Sequence, residues 1–163
     1  MKHIKDQGTV GVFNVLGDGI DAAGRTLEEH EHWIEQLELN PQTPITFLKK
    51  HREWKQRTAT FAEFVMSRCL DQDQFGKDLV GLKALAGIQS AVREMKRTGW
   101  LTIDTADYDK LRQATDKPHS ALPYFTNVGT TLLSFAIAIV EQARDELPPE
   151  AVRAGPNGTE VVA

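Results

Sequence analysis

The densest group of side chains that could bind a metal lies between Glu28 and Glu35, where glutamates alternate with His30 and His32. Residues two positions apart on a helix point roughly 200° apart, so the two histidines cannot share one ion. Glu28, His32 and Glu35 would share a face. A catalytic zinc site usually has three protein ligands, typically including two histidines, and no second histidine joins this face. We therefore interpret the group as a solvated acidic helix face and expect no metal or other cofactor.

The motifs of nucleophilic and nucleotide chemistry are missing from the sequence. There is no nucleophile elbow and no Walker loop, and Gly17-Asp18-Gly19 lacks a third glycine at the spacing of a dinucleotide fingerprint. The single cysteine, Cys69, lies among apolar neighbours, which predicts a buried, unreactive thiol. Asp104, Asp107 and Asp109 are typical of a helix start rather than of paired catalytic carboxylates. The sequence predicts a protein without enzymatic activity.

One basic stretch, from Lys49 to Arg57, is a candidate for contact with phosphate groups. It carries five cations against the single acid Glu53, with Trp54 between them. Cations interleaved with an aromatic ring occur in nucleic-acid-binding proteins, so a small nucleic-acid-binding regulator is the alternative function. The cations would spread around a helix, however, and the acidic segment Glu28 to Glu38 is a natural partner for them, within the chain or across subunits. The five cations are Lys49, Lys50, Arg52, Lys55 and Arg57.

Helical periodicity predicts the elements that carry these groups. Thr26 and Glu29 form a capping box that opens a helix over residues 27–39. Apolar residues at spacings of three and four then predict one long helix of about 26 residues, from Pro44 to Cys69. Asp78 is expected to cap a third helix that ends before Gly99. A short helix should follow from about residue 104 to residue 115.

The third helix carries small residues that would let another helix approach closely. This face consists of Gly81, Ala84, Gly87 and Ala91. Together with the basic stretch, it makes up the candidate interaction surface.

The terminal helix, predicted over Leu122 to Leu147, has almost no polar face between Leu132 and Val140. A helix that is apolar all round must be surrounded by protein or by lipid. Polar residues before the run and charges after it favour protein, so we interpret it as a soluble core helix. One side should face the second and third helices: Leu132, Phe135, Ile139 and Ala143. The other side needs cover from the N-terminal strands or from another subunit: Leu133, Ile137 and Val140.

Two segments are strand-like, Thr9–Leu16 and Trp100–Ile103, and we predict that they pair as a two-stranded ribbon. The fold class is therefore mainly α, a helical bundle of about four to five helices with this small β element. Residues 1–147 should form a single domain. Residues 148–163, rich in Pro and Gly, are expected to be a flexible or partner-bound tail.

The overall charge is weakly acidic. A net charge of −4 and a pI near 5.7 give no global footprint for nucleic acid or for an anionic membrane. One cysteine excludes an intrachain disulfide and fits a reducing compartment. We expect a cytoplasmic protein that does not enter a membrane.

Three segments follow one another in the C-terminal part of the chain: Trp100-Leu101-Thr102-Ile103-Asp104, Tyr108-Asp109-Lys110-Leu111, and a helix beginning near Pro118. Together they resemble small helical proteins encoded in the structural-gene modules of tailed phages. The resemblance covers about the C-terminal third of the chain. It implies an assembly chaperone, a connector or a minor virion component, in the host cytoplasm or the virion. We therefore expect a non-enzymatic protein that forms homo-oligomers or binds other assembly proteins, with nucleic acid as the less favoured partner.

Overall fold

The protein is mainly helical, as the sequence predicts. The computed structural model describes residues 1–70, 75, 77–116 and 122–153. Within them lie four short strands and seven helices, in the order β1 Lys2–Lys5, β2 Thr9–Gly11, α1 Leu27–Leu39, α2 Ile45–His51, β3 Thr58–Thr60, α3 Phe61–Leu70, α4 Leu79–Thr98, β4 Trp100–Ile103, α5 Thr105–Asp116, α6 Leu122–Glu141 and α7 Pro149–Arg153.

The helices that begin at a strong cap have the predicted bounds. Thr26 Oγ1 accepts the amide of Glu29 at 3.2 Å and opens α1, while Asp78 Oδ1 accepts the amide of Gly81 at 2.7 Å and opens α4. Gly99 ends α4 in the left-handed region at φ 78°, where a side chain would be strained. Local hydrogen bonding therefore fixes both helices, and their boundaries could be predicted.

The predicted pairing of Thr9–Leu16 with Trp100–Ile103 is wrong. Trp100–Ile103 does form a strand, but it pairs antiparallel with Lys2–Lys5, with Ile4 opposite Leu101. Thr9–Gly11 pairs instead with Thr58–Thr60. The N-terminal strand was missed because Ile4 is its only large apolar residue, too little for an alternating pattern. The result is two separate two-stranded sheets.

The predicted long helix from Pro44 to Cys69 is also wrong, because it is broken into α2, β3 and α3. The residues between them bond to other parts of the chain. The Arg57 amide donates to the Ile20 carbonyl at 2.7 Å, and the Val12 amide donates to the Arg57 carbonyl at 2.8 Å. The Gln56 side chain lies so close to Gly11 that a Cβ there would come within 2.7 Å of its Nε2. These tertiary contacts outweigh helical periodicity.

The hydrophobic core lies where α3, α4, α5 and α6 meet β1 and β4. Phe135 of α6 packs against Phe61 and Phe64 of α3, with ring centroids 5.5 and 5.6 Å apart. The Tyr108 hydroxyl of α5 donates to the Ile139 carbonyl of α6 at 2.8 Å. Apolar burial thus joins α3 to α6, and a buried hydrogen bond joins α5 to α6.

The terminal helix α6 buries the predicted side. Leu132, Phe135 and Ile139 are fully buried. Among the described residues the main helical neighbours of α6 are α3 and α5, so the predicted contact with the second helix is confirmed at α3, whereas α4, the predicted third helix, is not a main neighbour. Helix α6 also contacts β1 and β2. The other side of the helix, with Leu133, Ile137 and Val140, is only partly covered. On that side Leu133 is still 54% exposed.

In the part of the chain that the structure describes, no helix has both the length and the apolar character needed to cross a membrane. The predicted tail begins with α7 over Pro149–Arg153. Residues 154–163 and the predicted helix start near Pro118 lie outside the described residues.

Candidate binding cleft

The break in the predicted long helix opens a cleft of about 530 Å³. Helix α1 supplies one wall and α2 the other, and the loops before α1 and after α2 complete it. We call it the aromatic cleft. Two alanines, Ala22 and Ala23, line it together with nine polar or aromatic residues: Asp21, Arg25, His30, Trp33, Phe47, Lys50, His51, Glu53 and Lys55.

The aromatic rings of the cleft come from α1 and α2. Trp33 meets Phe47 and His51 edge to face, with centroids 6.2 and 5.8 Å apart. Phe47 and His51 lie one turn apart on α2, with centroids 4.3 Å apart. Phe47 has the more open ring of this pair, since the residue is 38% exposed while His51 is half-buried.

The turn before α1 positions the first cation. Asp21 Oδ1 accepts the backbone amides of Ala23 and Arg25, each at 2.9 Å. The Arg25 guanidinium then lies 4.0 Å from the centroid of the Trp33 ring, a cation–π contact. The Trp54 indole donates to the Arg25 carbonyl at 3.1 Å and fixes the same turn from the other side.

His30 forms part of the cleft lining and is only 5% exposed. Its Nε2 lies 3.2 Å from the Arg52 carbonyl oxygen. Because a carbonyl can only accept, Nε2 is the donor in this bond. Nδ1 is buried, makes no hydrogen bond in the described part of the chain, and lies 3.8 Å from Asp21 Oδ2. His30 therefore joins α1 to the loop after α2 beside a carboxylate.

The structure divides the predicted basic stretch. Lys50 and Lys55 line the aromatic cleft, whereas Lys49 is exposed on α2 and does not line it. Arg52 forms an ion pair of 2.8 Å with Glu38, so the predicted pairing with the acidic helix is confirmed at this position. Arg57 uses its backbone to hold Val12 and Ile20.

The small-residue face of α4 is also divided. Gly81 and Ala84 are buried in the core. Gly87 and Ala91 line a groove of about 440 Å³ beside β4 and the start of α5. A Cβ on Gly87 would lie 3.1 Å from Asp107 Oδ2, so the close neighbour of this face is α5 of the same chain.

The acidic group on α1 does not converge. Glu28, His32 and Glu35 are all exposed, while His30 is buried on the opposite side. Among the described residues, no three His, Cys, Asp or Glu side chains lie close enough together to hold a metal ion.

Cys69 is fully buried, as predicted, and burial raises the pKa of its thiol to about 12, although the Arg68 charge acts in the opposite direction. Arg68 itself is a fully buried cation that the sequence reading missed, with its guanidinium 5.3 Å from the Phe64 ring centroid. Its position, four residues after Phe64 on the apolar face of α3, is the signal that points to burial.

Large aliphatic side chains are exposed where the chain passes from α3 to α4. Leu79, Val80 and Leu82 all lie in the first turn of α4. Leu79 and Leu82 share one face of the helix, whereas Val80 points away from Leu82. With Leu70, the last residue of α3, they form what we call the apolar patch. Their exposed fractions are 68% for Leu70, 67% for Leu79, 66% for Val80 and 50% for Leu82.

No family model matches the chain, and no curated protein or solved structure matches it at a significant level.

Proposed function

We propose that this chain is a non-enzymatic helical protein that self-associates through the apolar patch. The observation that carries the proposal is the exposure of four large aliphatic side chains between Leu70 and Leu82, each at least half exposed. A contiguous exposed apolar surface marks an interaction site, and we propose that these four side chains form one.

A second copy of the chain suits the patch better than a strongly charged partner. The charges that flank the patch in the sequence are of both signs: Asp71, Asp73 and Asp78 against Lys77 and Lys83. The Asp78 carboxylate already caps α4. Two copies can therefore face each other without strong like-charge repulsion. A two-fold interface uses the same surface on both subunits, so an apolar patch can pair with its own copy across the axis.

We propose further that the oligomer serves in virion assembly, as the resemblance to tailed-phage proteins implies, in the host cytoplasm or the virion. In this role α3 to α6, which are linked by contacts along the chain, act as one helical bundle. The proposal rests on the resemblance of residues 100–104, which comprise β4 and the residue after it, and of residues 108–111, which lie on α5.

The experiment compares wild type with Leu79→Glu and Ile45→Glu by sedimentation velocity. Leu79 and Ile45 are matched: each is about two-thirds or more exposed, and each lies in the first turn of a helix that has no acid there. A glutamate at a helix N-terminus is favourable, so both variants should fold. Only Leu79→Glu places a charge in the apolar patch.

We expect wild type and Ile45→Glu to sediment as an oligomer at tens of micromolar, while Leu79→Glu weakens association at least about tenfold. Monomeric wild type at that concentration would overturn the proposal of self-association. Equal association of the two variants would remove the patch as its interface.

A further inference from the structure

We propose that the aromatic cleft is a binding site for a planar ring joined to a phosphate group, the chemistry shared by a free nucleotide and a single-stranded nucleic acid. The inference is independent of self-association, because the cleft lies between α1 and α2 and the apolar patch lies at the start of α4. Two features converge on this ligand, an exposed aromatic ring and a set of cations, in a cleft of suitable size.

The ring face is supplied by Phe47. Arg25 covers one face of Trp33 at 4.0 Å, and Phe47 and His51 approach Trp33 edge to face. Phe47, 38% exposed, is the most open of these rings. Because His51 lies against it with centroids 4.3 Å apart, a stacked partner would use the other face of Phe47. A base stacked on an aromatic side chain contributes about 1–3 kcal/mol, whichever base it is.

The charge of the cleft favours an anion. Arg25, Lys50 and Lys55 line it against Asp21 and Glu53. Asp21 is already occupied by two backbone amides of its own turn. Lysines act as mobile point charges toward phosphate, and both lysines here are exposed enough to reach a ligand.

His30 belongs to the cleft lining. Its Nδ1 is buried and lies 3.8 Å from Asp21 Oδ2, so this side chain contributes to the wall of the cleft rather than to the open ligand surface. The cleft volume of about 530 Å³ falls within the range of small-ligand sites.

The test titrates deoxyadenosine monophosphate, inorganic phosphate and a single-stranded deoxyadenosine oligomer into the protein, at low and moderate salt. Tryptophan fluorescence reports binding, since Trp33 lines the cleft. Lys50→Glu is compared with Lys49→Glu, because the two lysines are adjacent, both are exposed, and only Lys50 lines the cleft. Phe47→Leu keeps an apolar side chain but removes the ring face.

We expect the mononucleotide or the oligomer to bind, Lys50→Glu to weaken binding at least about tenfold, and Lys49→Glu to have little effect. Phe47→Leu should weaken both ring-bearing probes while leaving inorganic phosphate unchanged. If the oligomer binds more tightly than the mononucleotide and with a steep salt dependence, the ligand is a single-stranded nucleic acid. If the oligomer and the mononucleotide bind with similar affinity, the ligand is a free nucleotide. No binding of either ring-bearing probe, or equal losses in the two lysine variants, would overturn the proposal.

Discussion

His30 of α1 and Arg52 after α2 are joined by a hydrogen bond of 3.2 Å between the imidazole Nε2 and the backbone carbonyl. The bond lies just after α2, where the predicted long helix is interrupted, and it draws α2 against α1. The Arg52 side chain reinforces it through the ion pair with Glu38. The same contact forms one side of the aromatic cleft, so the break in the helix and the cleft have a common origin.

Replacing His30 by Phe should destabilise the protein by about 1–3 kcal/mol, because the Arg52 carbonyl loses a buried donor. His32→Phe is the control, since His32 lies on the same helix and is exposed. Urea denaturation followed by circular dichroism measures both. If the two variants lose the same free energy of unfolding, the bond does not hold α2 in place.

The buried thiol predicts loss of stability at alkaline pH. Burial raises the pKa of Cys69 from 9.0 to about 12, so above pH 9 the unfolded chain releases a proton that the folded chain keeps. Stability is then full below pH 9 and falls as the pH rises toward 12. Burial also raises the pKa of the Tyr108 hydroxyl, which deepens the fall above about pH 10.

Cys69→Ala should remove the part of this fall that belongs to the thiol. The free energy of unfolding is measured in urea between about pH 8 and about pH 10.5, and the wild-type slope should be steeper by up to about 1.4 kcal/mol per pH unit. Parallel pH profiles for wild type and variant would contradict a buried thiol.

Tyr108→Phe should cost about 1 kcal/mol of stability, because it removes the hydrogen bond to Ile139 that joins α5 to α6. Thr115→Val is the control on the same helix. The Thr115 hydroxyl is also buried, but it donates to Leu111 within α5, so its loss should not loosen α6. Hydrogen exchange of the α6 amides distinguishes the two: faster exchange is expected in Tyr108→Phe alone, and equal exchange would count against the α5–α6 link.

Local signals in the sequence predicted α1, α4, α5 and the strand Trp100–Ile103. Thr26, Asp78 and Gly99 act through atoms within a few residues of themselves, so their effect can be predicted without the fold. Strand pairing depends on distant partners. The segment Lys2–Lys5 has one large apolar residue, Ile4, so no alternating pattern marks it as a strand in the sequence. Its strand character becomes visible only in the fold, where Ile4 lies in the core opposite Leu101.

The aromatic cleft was beyond prediction for the same reason. In the sequence, Trp33 falls within the predicted helix over residues 27–39 and Lys50 within the basic stretch, and neither pattern indicates that the two share a cleft. They meet because the chain reverses after α1, where Asn40 Oδ1 accepts the amide of Gln42 at 3.0 Å. Periodicity describes one face of one helix, whereas the cleft is made by two helices and two loops.

The most direct test of the proposed self-association asks whether Leu82 of one copy lies near Leu82 of another. The one native cysteine, Cys69, is fully buried, so wild type should give no background with a short bismaleimide cross-linker. Leu82→Cys and the control Ile45→Cys are cross-linked and separated on denaturing gels.

We predict a covalent dimer from Leu82→Cys that disappears when Leu79→Glu is added, and no dimer from Ile45→Cys. Absence of a covalent dimer from Leu82→Cys, at a concentration where the protein sediments as an oligomer, would contradict an interface at the apolar patch.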